Sequence, residues 1–90
     1  MNYTVVAIRD RLTGFGSPIL ASSPEMGTRD FLDACENLPP RRKADLSFYQ
    51  LGLFDTESGV ILPNGVPVYI CSADSKMHEL PFGDDADENK

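Results

Sequence analysis

Tryptophan is absent from this chain of 90 residues, and histidine occurs once, at position 78. With a single histidine there is no pair of imidazoles for a zinc site, and no Cys–His–acid constellation beyond that one residue. Cysteine is scarce too. Cys35 and Cys71 stand far apart in sequence, whereas zinc sites draw on closely spaced ligand pairs. The two thiols read as small buried apolar groups, free in a reducing cytoplasm. No run of 18 apolar residues occurs, so no membrane-spanning helix is expected. The opening residues Met1-Asn2-Tyr3-Thr4 lack the basic and apolar regions of a signal peptide. Neither a phosphate-binding G-x-x-x-x-G-K-[ST] loop nor a dinucleotide fingerprint is present. Catalysis needs convergent groups that this sequence does not supply, so an enzyme is not expected, and no cofactor or metal is implied.

A large excess of basic charge is also missing. The net charge is −6, and it is unevenly spread. Up to Cys71 there are six basic and eight acidic residues, a balance of −2; from Ser72 onward two lysines face six acids, a balance of −4. The body is close to neutral and the end of the chain carries most of the charge. Tight electrostatic binding of nucleic acid by a monomer is therefore disfavoured.

What is present is a β-hairpin. Ser47 to Leu62 reads S-F-Y-Q-L-G-L-F-D-T-E-S-G-V-I-L. Apolar and aromatic residues run to Phe54, Asp55-Thr56-Glu57-Ser58-Gly59 turns the chain, and Val60-Ile61-Leu62 returns. Gly59 suits the left-handed position that closes such a loop. Tyr3 to Ile8 is β-branched and apolar on both faces, as a central strand would be. Arg9-Asp10-Arg11 leaves the core, and Leu12 to Pro18 is a loop. Ile19-Leu20-Ala21 is a short strand or an extended lead into a helix. Ser22 or Ser23 caps that helix, Pro24 sits in its first turn and Glu25 adds favourable charge there. Thr28, Phe31, Leu32 and Cys35 then fall on one helical face. Gly27 is a mild cost. Asn37 and Pro39-Pro40 stop the helix, and Arg41-Arg42-Lys43 follows in a loop. Asn64-Gly65 reads as a further turn before a last strand, Val66 to Cys71, in which Pro67 favours the sheet edge.

The implied fold is α+β: one helix packed on a small, mainly antiparallel β-sheet of three to five strands, with a disordered acidic C-terminal tail. The domain spans residues 1–73 and the tail 74–90. A domain this small buries only about two-thirds of its unfolded surface. Dimerisation is an ordinary route to added stability, and a homodimer is among the expected partners.

Two features bear on binding. The cations Arg9, Arg11, Arg41, Arg42 and Lys43, with Tyr49 and either Tyr3 or Tyr69 as stacking rings, are the residue types that hold single-stranded nucleic acid. They are the candidate nucleic-acid-binding residues. The alternative is a protein-interaction module, carried by the acidic tail and its Leu80-Pro81-Phe82 triplet.

Four segments in order resemble one viral family. Tyr3 to Asp10 (Y-T-V-V-A-I-R-D) is similar to its opening strand, and Ser17-Pro18-Ile19-Leu20-Ala21 to its proline-containing apolar segment. Thr28-Arg29-Asp30-Phe31 resembles its Arg-x-Phe helix. Leu51-Gly52-Leu53-Phe54-Asp55, with Gly59, resembles its Leu-x-x-Gly-x-Phe-Asp strand and turn. The family is the small nonstructural protein of gokushovirus-type microviruses, phages with circular single-stranded DNA genomes. The likeness covers residues 3–72. It implies a nonstructural accessory protein acting in the host cytoplasm, associated with single-stranded DNA or genome replication or, in the alternative reading, binding a host or phage partner. The charge of −6 departs from the strongly cationic proteins that neutralise packaged DNA, which sets genome condensation aside.

Overall fold

The computed structural model describes residues 1–76. Of the expected acidic tail, residues 77–90, with the Leu80-Pro81-Phe82 triplet and His78, lie outside the described residues. The elements are β1 (Asn2–Asp10), β2 (Gly14–Phe15), β3 (Ile19–Ala21), α1 (Pro24–Cys35), α2 (Pro40–Asp45), β4 (Leu46–Asp55) and β5 (Ile61–Ser72). Every strand pairing among them is antiparallel. The order is β2-β1-β4-β5, with β3 also on β1, so β1 is central and β5 forms an edge. The buried run Thr4 to Ala7 fits that central position.

Helix α1 covers one face. Ser23 is its cap, its Oγ accepting from the Met26 amide at 3.1 Å. Thr28, Phe31 and Cys35 are buried against Val6, Leu46, Phe48, Cys71 and Ala73 or their surroundings. The Phe31 and Phe48 rings stack with centroids 4.7 Å apart and planes 10° from parallel. Gly27 is more than a propensity cost. A Cβ there would come within 2.9 Å of the Ala21 Cβ and 3.4 Å of the Phe48 ring, so the missing side chain lets the first turn of α1 approach β3 and β4.

Helix α1 ends at Cys35, before Asn37 and the prolines, and the pair Pro39-Pro40 begins a second helix. Arg41-Arg42-Lys43 lies in α2, not in a loop: Pro40 occupies the first turn, where its fixed φ suits a helix and its missing N–H costs nothing. Residues 61–72 form a single strand, not two separated by a turn. Asn64-Gly65 is a kink inside β5, with Gly65 at φ 87° and the Asn64 Nδ2 donating to the Gln50 carbonyl at 3.0 Å. Register shifts fall between Val5 and Val6 in the β1–β4 pairing, and at Phe48/Tyr49 and Gln50/Gly52 in the β4–β5 pairing. Such bulges bend a strand and increase its twist. Arg9 and Asp10 remain within β1, and the loop after it contains the short strand β2.

The hairpin turn is built on Asp55. Its carboxylate accepts from the Ser58 hydroxyl at 2.8 Å and the Glu57 amide at 3.2 Å, while the Gly59 amide donates to its backbone carbonyl at 2.8 Å. Gly59 takes φ 77°. The Ser58 hydroxyl, then the Glu57 amide, hold the Asp55 carboxyl below its ordinary value of 3.8. A depressed folded-state pKa contributes stability above the unfolded value and loses it as pH falls through the folded one. Urea midpoints should therefore drop as pH is lowered past 3.8, and Asp55→Asn should lose that part of the pH dependence. An unchanged acid limb in Asp55→Asn would count against this role.

Candidate nucleic-acid interface

Alternation along β1 decides which side chains face away from the helix. Val6 packs in the core under α1, with Ile8 against its margin, so Ala7 and Arg9 lie on the opposite face. Register carries that face across the sheet: Ala7 pairs with Tyr49, Tyr49 with Tyr69, and Arg9 with both Phe15 and Ser47. The result is a row of rings. Phe15 meets Tyr49 edge-to-face at 5.1 Å between centroids, and Tyr49 meets Tyr69 the same way at 5.7 Å. This is the geometry that aromatic quadrupoles favour. The Arg9 guanidinium ends the row, 5.9 Å from the centre of the Phe15 ring, a cation–π distance. Phe15 is 44% exposed and Tyr69 56%, while Tyr49 between them is half-buried. Arg9 forms no ion pair among the described residues.

The remaining candidate cations do not join this face. Arg11, Arg41, Arg42 and Lys43 gather where β1 ends and β4 begins. The Arg11 Nε lies 3.1 Å from the Asp45 Oδ1, and the Arg42 Nη1 3.4 Å from the Asp10 Oδ2. The Arg11 amide also donates to the Asp45 carbonyl at 2.8 Å. These contacts tie α2 to the end of β1. Asp10 accepts from the Leu12 amide at 2.8 Å; that bond first, and Arg42 after it, lower its carboxyl pKa. Asp10 follows Arg9 in β1 and so faces the helix side, and its contact with Arg42 places α2 on that side of the sheet. Of the six candidate residues, Arg9 and Tyr49 therefore share the aromatic face, and the other four cluster beyond it.

Phe15, expected in a loop, stands in the short strand β2. Its signal was the glycine before it: Gly14 takes φ 92° and returns the chain so that Phe15 sits opposite Arg9. Both cysteines are buried in the core. Burial, with Cys35 nearby, pushes the Cys71 thiol up to about 11, and burial also raises that of Cys35. Neither is a thiolate at neutral pH. Among the described residues no cluster of three or more His, Cys, Asp or Glu is placed to hold a metal. No helix among them is long and apolar enough to cross a membrane.

Fold and face define a small α+β domain with its helices on one side of an antiparallel sheet and a row of aromatic rings on the other. The family model of the phage ORF5 protein matches residues 3–76, taking in the sheet from β1 to β5 with both helices. The chain belongs to the phage ORF5 protein family, and it is a phage protein. No curated protein and no solved structure matches it.

Proposed function

We propose that this phage protein is a nonstructural accessory factor of the infected cell that holds single-stranded DNA on the helix-free face of its sheet. The row Arg9–Phe15–Tyr49–Tyr69 carries this reading. Unpaired bases stack on aromatic rings and a guanidinium meets the phosphate beside them. A duplex hides its base faces and gains nothing from such a row. The resemblance to gokushovirus-type microviruses, whose genomes are single-stranded circles, supports the same assignment.

The charge pattern sets the character of the binding. With a net charge of −6, and Arg11 and Arg42 engaged by carboxylates, few phosphates are neutralised. Stacking supplies most of the affinity. If one or two phosphates are contacted, log K should fall against log salt with a slope of only about −0.7 to −1.4.

Fluorescence anisotropy of a labelled single-stranded oligonucleotide, titrated with the protein at low and moderate salt, tests this. Binding in the micromolar range is expected, with the shallow slope above. Tyr49→Ala or Tyr69→Ala should each weaken it by roughly 5- to 100-fold, the range for loss of one base–ring stack. An Arg41/Arg42/Lys43→Ala variant should bind less weakly than either. Absence of binding at low salt, or full affinity after the rings are removed, would refute the proposal.

A further inference from the structure

The outer part of β5 has an unusual make-up for the edge of a sheet. Nine consecutive residues, Ile61 to Tyr69, are exposed. Helix α1 packs on β3, β1 and β4, and α2 reaches β4 and β5; neither buries this stretch. Ile61, Leu62, Val66, Val68 and Tyr69 are all open to solvent, Val66 at 71%. Ile61 pairs with Phe54, Leu62 with Leu53 and Tyr69 with Tyr49, so the exposed side chains stand on both faces of the ribbon. None of the twelve residues of β5 is charged. Edge strands are ordinarily guarded by lysines and other charges. The guards here are Pro63, Pro67 and the kink at Gly65. They interrupt the row of backbone donors without hiding any apolar side chain.

We infer that this strip is a self-association surface, covered in solution by β5 of a second copy of the chain. Three observations select that occupant. First, a charged partner would find nothing to pair with on a strand without charge, whereas two copies of such a strand meet without repulsion. The acidic residues of each chain lie elsewhere, with six of its 14 after Cys71. Second, Val60, Ile61, Leu62, Val66, Val68 and Tyr69 are each 48–71% exposed, and clustered exposed apolar side chains of this kind mark interaction surfaces. Third, the core is small: among the described residues nine apolar ones are buried, and a chain of 90 is of the size at which association commonly supplies missing stability. An isologous contact, β5 against β5 about a two-fold axis, gives each strip the layer its own helices do not provide. The prolines direct this contact through side chains and not through a continuous ladder across the edge. The strip meets the aromatic row at Tyr69, where a second copy and a stacked base compete for one ring.

Sedimentation velocity over a range of concentrations, on the full chain without nucleic acid, provides the test. The wild type should sediment at twice the 9.9 kDa chain mass at the upper end and dissociate on dilution. Leu62→Asp and Val66→Asp should each raise the dimer dissociation constant on the order of 30-fold, as expected for a residue at the centre of an interface. Both positions are exposed, and circular dichroism will show that the variants fold. Ile19→Asp, at the exposed strand on the opposite side of the sheet, should dimerise as the wild type does. A monomer at every concentration overturns the inference, and so does a dimer that survives both β5 substitutions or that Ile19→Asp alone dissolves. A monomer whose strip binds a hydrophobic dye, with the signal lost in Val66→Asp, assigns the surface to a different partner and overturns it as well.

Discussion

Replacing Gly52 with alanine is expected to cost about 3 kcal/mol of folding stability, at the upper end for an overpacked site. Gly52 lies in β4 where Val5 on one side and Pro63 on the other are its register partners. A Cβ built there would collide with the Leu62 carbonyl oxygen and would stand 3.0 Å from the Pro63 Cα. Both obstacles are main chain, so no side chain can swing aside. The neighbouring strand must move, and with it the kink that follows at Asn64-Gly65. A domain of this length has a total stability on the order of 5–13 kcal/mol, so the substitution should lower the urea midpoint by roughly 2–3 M. Gly59→Ala is the contrasting control. Gly59 takes a positive φ of 77°, which Gly52 does not, but open space surrounds it, so only conformational strain of about 1 kcal/mol applies. Equal losses at the two positions would show that contact with β5 is not what requires glycine at 52. The close approach also gives a physical reason for the Gly-x-Phe-Asp spacing: Gly52 admits β5 and Asp55 turns the chain into it.

Phe48→Ala should be costlier still, about 4 kcal/mol. The ring is 1% exposed, lies parallel to Phe31, and is the surface against which Gly27 brings α1. It also lines an apolar groove of about 150 Å³ between α1 and β3, together with Phe31, Ile8, Ile19 and Ala21. Truncation would open that groove into the core and admit water, so the cavity could not collapse around the missing ring. A double-mutant cycle with Phe31→Ala isolates the stacking contribution, expected at about 1 kcal/mol beyond area burial. Full additivity would mean that the two rings are merely neighbours. Because Tyr49 projects from the other face of the same strand, a destabilised Phe48 variant that still folds should keep its oligonucleotide affinity.

Local chemistry made much of this fold legible. The α1 boundaries follow from Ser23, Pro24 and the spacing of Thr28, Phe31 and Cys35. The β4–β5 turn follows from Asp55 and Gly59. Helix α2 escaped because six residues with three adjacent cations show no apolar period, and because a proline pair marks a stop and a start equally well. The continuity of β5 escaped because Asn-Gly is a hairpin signal by composition, and only pairing to β4 on both sides of it reveals a kink. The aromatic row was half visible. Arg9, Tyr49 and Tyr69 carried the right chemistry, but the face a side chain occupies depends on every bulge between it and its neighbour. Register shifts at Phe48/Tyr49 and Gln50/Gly52 cannot be counted from composition. The basic cluster was visible as charge, yet its pairing with Asp10 and Asp45 depends on α2, the element the sequence concealed.

The central place of β1 has a consequence for how the protein is made. Its neighbours on one side, β2 and β3, are finished by Ala21, but its other neighbour, β4, ends only at Asp55. At a synthesis rate of roughly 5–20 residues per second, the 34 intervening positions take about 2–7 seconds. For that interval the nascent chain carries Val5 to Ile8 with one flank unpaired and no Phe48 to cover it. Translation speed across residues 22–55 thus sets how long each new copy stays sticky, and this span, more than the folded domain, is where chaperone dependence and early aggregation should arise.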